Sequence, residues 1–125
     1  MISRIFLALI GLLFVAFGLW SITDPVGMTS QLGVEAGGIS GTFEMRGIYG
    51  GVSLGAAALC LFGALRPAMT DTALWFVIAY MGGYVIGRAA SFASGDTAMA
   101  SSWIFAGYEA LMFMLAAILL YRRQV

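Results

Sequence analysis

The sequence predicts an all-α fold, a bundle of four transmembrane helices with both termini on the same side. Three observations carry this. Hydrophobic residues make up 62% of the chain and charged residues 10%, against about 25% charge in ordinary soluble domains. The mean hydropathy is +0.98, and the apolar residues fall into four runs, each near the ~20 residues that cross a bilayer. With 125 residues, the four runs leave no length for a separate soluble domain, so residues 1–125 read as one integral membrane unit.

The first span is expected at about Ile5–Ile22, with Trp20 as an interfacial anchor. Gly18-Leu19-Trp20-Ser21 offers no small-x-small cleavage site, so the run reads as a retained span rather than a signal peptide. Asp24-Pro25 stops it, and the same two residues can start a short surface helix over Val26–Leu32, closed by Gly33. Ala36–Gly41 is expected to be a flexible turn. The second span follows at about Phe43–Leu65 and ends at Arg66-Pro67. Thr70 or Asp71 is expected to cap the third span, Ala73–Phe92. A polar loop over Ala93–Ser102 leads to the fourth, Trp103–Tyr121, which ends in Arg122-Arg123.

This layout places Arg4, Arg66, Arg122 and Arg123 on one side and Asp24, Glu35 and Asp96 on the other. The positive-inside rule then puts both termini in the cytoplasm. The 17 glycines suit close packing of membrane helices. Gly47, Gly51 and Gly55 recur four apart in the second span, as do Ala79, Gly83, Gly87 and Ser91 in the third. These stripes are expected to bring the second and third spans together, or to dock a second copy or a larger complex.

Four charges fall inside the spans: Glu44, Arg46, Arg88 and Glu109. A charge at the centre of a bilayer is costly, so such residues are commonly paired and functional. Counting 1.5 Å per residue puts all four in the outer half, with Glu109 deepest at about 9–10 Å. Tyr80, Tyr84 and Arg88 share one face of the third span at i, i+4 and i+8. Arg88 with Glu109 is the expected deep pair, because the short side chain of Glu109 cannot reach water. Glu44 also suits a helix start. Arg46 lies nearly opposite Glu44 and is expected to reach Tyr49, Glu44 or the outer headgroups. Arg88, Glu109, Arg46, Glu44, Tyr84 and Tyr49 are therefore the candidate polar cluster.

At Glu44-x-Arg46-x-x-Tyr49-Gly50-Gly51, at Gly87-Arg88-x-x-Ser91 and at Glu109, the chain resembles a family of small bacterial four-span membrane proteins known only as a domain of unknown function. Its layout is also similar to that of DoxX-like four-helix proteins. The resemblance covers nearly the whole chain and implies a bacterial inner-membrane location, with these residues acting together. It implies no substrate.

The chain has no histidine, no lysine and one cysteine, Cys60. The usual ligands for zinc, copper or haem are missing, no basic patch suits nucleic acid, and no cofactor is expected. No nucleophile–base pair or phosphate loop points to an enzyme. The first expectation is a binding or accessory protein whose outer pocket takes an anionic or zwitterionic group, such as a lipid headgroup, since arginine suits such groups. A small oligomeric transporter, for an anion or coupled to protons, is the alternative. The arginines would repel a cationic drug.

Overall fold

A computed structural model describes residues Met1–Val125. The chain forms α1 (Ile2–Thr23), α2 (Pro25–Gln31) and α3 (Gly38–Met45), then a π-helical turn over Arg46–Gly51 and α4 (Val52–Leu65). A single 3-10 turn, Pro67–Met69, leads into α5 (Thr70–Ala93), and α6 (Ala100–Gln124) completes the chain. There are no strands. Four helical stretches are long and apolar enough to cross a membrane: Ile2–Thr23, Gly38–Leu65, Pro67–Ala93 and Ala100–Gln124. The second joins α3, the π turn and α4 into one span.

The punctuation after α1 is as expected. The Asp24 side chain accepts a hydrogen bond from the Gly27 N–H at 2.9 Å, and Pro25 occupies the first turn of α2. Gly33 closes that helix region with φ +70°, a conformation that glycine adopts at little cost. Met28 and Thr29 are buried, so α2 lies folded onto the bundle rather than free on its surface.

Two local expectations are corrected. Residues 38–41 are the first turn of α3, not a flexible turn. Gly38 has φ +65°, and a Cβ at Gly41 would stand 2.9 Å from the Ala36 carbonyl carbon, so the glycines permit a tight reversal that leads directly into helix. Nor does Thr70 or Asp71 cap α5. The Thr70 hydroxyl donates to the Gly63 carbonyl at 2.9 Å, and Asp71 pairs with Arg123 of α6. Both side chains tie neighbouring helices instead of their own.

The four spans pack as two pairs. The most extensive interfaces are α1 against the second span and α5 against α6. The first pair is close along its length because glycines stand where backbones meet. A Cβ at Gly11 would reach Leu61 at 2.8 Å, and one at Gly18 would reach Leu54 at 2.9 Å and the Gly50 carbonyl at 3.1 Å. The two pairs join most closely toward the arginine-bearing end. There Leu7, Ile10, Phe14, Ala56, Ala57, Cys60, Leu74 and Val77 belong to one buried core. Past Met81, no residue of α5 is buried.

The expectation that these glycines bring the second and third spans together is overturned. A Cβ at Gly47, Gly55, Gly83 or Gly87 would meet nothing within 4 Å, and one at Gly51 only the Arg46 carbonyl at 3.9 Å. Those stripes do not hold the second and third spans together. The close approach between these spans is made by Gly63, whose Cβ would come within 2.3 Å of the Ala73 side chain, at the arginine end. Toward the acidic end the pairs diverge.

Candidate functional site: a cavity around Arg88 and Glu109

The divergence of the helix pairs leaves a cavity of about 920 Å³ bounded by all four spans. Its floor, near mid-bundle, is Phe14, Tyr80 and Met81, and its mouth lies beneath Leu32 and Val34, which follow α2. Hydrophobic residues are 14 of the 21 that line it, so the few polar groups on its walls decide what it can hold.

The central polar feature is the pair expected from sequence. Arg88 Nε donates to Glu109 Oε2 and Arg88 Nη2 to Glu109 Oε1, both at 3.0 Å. This parallel geometry matches a planar guanidinium to a carboxylate and gives a stronger bond than a single contact. The two partners are unequally buried, with side-chain exposures of 44% for Arg88 and 9% for Glu109. Both Glu109 oxygens are occupied by Arg88, whereas Nη1 of Arg88 takes no part in the pair. The guanidinium thus holds its carboxylate and still presents N–H donors to the cavity.

Tyrosines build the adjoining wall. Tyr80 and Tyr84 hydroxyls lie 3.5 Å apart, two turns and one turn respectively from Arg88 along α5. Phe14 packs edge-on to Tyr80 at 5.5 Å between centroids, and Phe17 to Tyr49 at 6.4 Å. Tyr49 projects from the π-helical turn into the same space. The turn matters because π geometry shifts the helical phase, and such turns recur at functional positions. It aims Tyr49 and Ser53 at the cavity while Gly50 meets α1.

Four of the six candidate residues, Tyr49, Tyr84, Arg88 and Glu109, line this one cavity. Glu44 and Arg46 do not. They lie with Gly47 and Gly51 in a separate groove on the outer side of the second span. Arg46 reaches neither Tyr49 nor Glu44: its Nε donates to the Ile22 carbonyl at 3.0 Å. This satisfies one of the orphan carbonyls at the end of α1, and Arg46 is exposed. Glu44 is exposed, in the second turn of α3. The single cluster of two acids and two bases is thereby divided into one half-buried pair and two peripheral residues.

Sequence reasoning missed Ser53, whose signal was its position four residues after Tyr49, and the mouth residues Leu32 and Val34, which carry no sequence signal for this role. No three acidic or cysteine side chains cluster as a metal site.

A family model described as a domain of unknown function (DUF4345) matches residues 2–120. No curated protein and no solved structure matches the chain.

Proposed function

The chain belongs to the DUF4345 family, a domain of unknown function, and on that premise we propose that it is a small binding or accessory protein of the bacterial inner membrane. Its ligand carries an anionic or zwitterionic group, held at Arg88 in the cavity between the helix pairs. One observation supports this above the others: Arg88 keeps free donors and 44% exposure while its partner Glu109 is buried. A pair that served only to lock the bundle would have no need to leave its guanidinium open to a cavity. The layout, similar to that of DoxX-like proteins, suits a protein that works within a larger membrane assembly. The arginine end lies in the cytoplasm, so the cavity sits in the outer leaflet.

Dodecyl phosphate is a suitable probe, with binding read by native mass spectrometry of protein released from nanodiscs. The wild type should bind it, and Arg88→Gln should weaken binding about tenfold, the ~1.4 kcal/mol of a lost charge-assisted bond. Glu109→Gln should bind at least as well as the wild type, because it removes the competing carboxylate charge. Equal binding by Arg88→Gln and wild type would sink the reading.

The second reading, a small oligomeric transporter, rests on the shape of the bundle, closed by its core at one end and divergent at the other. Uptake of phosphate into liposomes that depends on a pH gradient and disappears in Glu109→Gln would favour it.

A further inference from the structure

Whether the ligand arrives from water or from lipid depends on which walls of the cavity are closed. The mouth at the acidic end is covered by Leu32 and Val34. Between them Gly33 lies so close to the α5–α6 loop that a Cβ there would stand 2.6 Å from Met99 Sδ. The two loops therefore meet across the end of the bundle.

Three of the four seams between spans are also bridged in this half. The α1 seam with the second span is closed by Gly18 against Leu54 and Gly50. Arg88–Glu109 and the edge-on Phe92–Trp103 contact at 6.2 Å join α5 to α6. Phe17 and Phe105, 6.4 Å apart, join α1 to α6.

The fourth seam, between the second span and α5, is different. No hydrogen bond or aromatic pair joins its two sides above Met81. On one side stand Ile48 and Val52, which are 52% and 49% exposed yet line the cavity. The same two residues also line the outer groove, so the inner cavity and the outer surface meet at this ridge. On the other side stand Gly83 and Gly87, which line the cavity and present no side chain to narrow it.

We infer that this gap is a lateral portal to the bilayer, through which the cavity takes a single-chain amphiphile with an acidic head, a carboxylate or a phosphate. The glycines keep the portal wide. Arg88 lies five residues from the end of α5, about 7–8 Å along the helix, a depth an acid group reaches by sinking only a little below the headgroups. Its free donors suit a carboxylate or phosphate oxygen, and the apolar floor at Phe14 and Met81 takes the chain. The cavity volume lies within the range of sites for one ligand of this size. The inference rests on the binding reading above and adds the route and the ligand class.

The experiment uses palmitate bearing a mid-chain diazirine, added to liposomes containing the full chain, with adducts mapped by peptide mass spectrometry. Adducts should fall on the cavity-facing parts of the second span and α5. Excess palmitate should compete for them, and inorganic phosphate should not. Gly83→Leu with Gly87→Leu should slow adduct formation about tenfold by narrowing the gap, and Val52→Phe on the facing side should slow it too. Gly55→Leu adds a leucine at an open glycine outside the cavity and should label at the wild-type rate. Wild-type rates in both portal variants would overturn the lateral route and leave the binding reading standing. Competition by inorganic phosphate would overturn the ligand class, since a soluble anion would then suffice. Absence of competed adducts together with failure of dodecyl phosphate to bind would overturn both readings.

Discussion

Removing Arg88 should destabilise the protein more than neutralising Glu109, because the two members of the pair depend on each other unequally. Glu109 is 7% exposed and without Arg88 would have neither hydrogen-bond partner, a costly state for a buried carboxylate. Arg88, with 44% of its side chain exposed, can turn toward headgroups and water when its partner is lost. We expect Arg88→Ala to cost more than Glu109→Gln in unfolding titrations by SDS in mixed micelles. The double variant should cost less than the sum of the two, by about 1–2 kcal/mol, within the usual range for residues in contact. Additive losses would show that the two side chains do not stabilise each other. The reach of this pair was legible in the sequence, because depth and face alone brought Arg88 and Glu109 together. Arg46 was not legible, since its partner is the Ile22 carbonyl and a backbone group leaves no mark in the residue pattern.

At the scale of the helices, the glycines separate into those that pack and those that open space. Gly63→Ala should destabilise the bundle by about 1–3 kcal/mol, the usual consequence of overpacking. Its new Cβ would meet the Ala73 Cβ at 2.3 Å and the Met69 carbonyl at 3.3 Å, and neither atom is the end of a flexible side chain. Gly47→Ala and Gly55→Ala should be neutral or stabilising by up to about 1 kcal/mol, since they gain helix propensity and meet no neighbour. Thermal unfolding in detergent distinguishes these outcomes, and equal losses at all three positions would refute the division. The same contrast explains what the sequence could not show. A four-residue glycine spacing says that a helix has a smooth face, but not whether a neighbour covers it. The π turn at Arg46–Gly51 adds a second obstacle, because it shifts the phase of the span midway. Faces counted at a constant 3.6 residues per turn then misplace Glu44 and Arg46 relative to Tyr49 and Ser53. By contrast, the Asp24-Pro25 start of α2 was readable, since that cap is made within three residues. The Thr70 hydroxyl was not, since its acceptor lies on the preceding helix.

Across the whole molecule, charge and packing are polarised along the same axis. The end that carries Arg4, Arg66, Arg122 and Arg123 is also the end where the helix pairs are joined. Arg4 Nε donates to the Ala64 carbonyl at 2.6 Å, the Arg66 guanidinium sits 5.4 Å from the centre of the Phe62 ring, and Arg123 pairs with Asp71. Each bond fixes an arginine at the rim of the bundle, where it resists translocation through lipid. The divergent end carries the exposed acids Asp24, Glu35 and Asp96 and no arginine beyond the spans. This asymmetry predicts one orientation and, with it, the leaflet from which the cavity can be filled. Cys60 is fully buried, so a cysteine introduced at the surface is the only thiol that a membrane-impermeant maleimide should reach. Asp96→Cys should be labelled in right-side-out vesicles, and Gln124→Cys only in inverted ones. The opposite pattern would place the cavity in the cytoplasmic leaflet, and an acid amphiphile would then have to reach Arg88 from inside the cell.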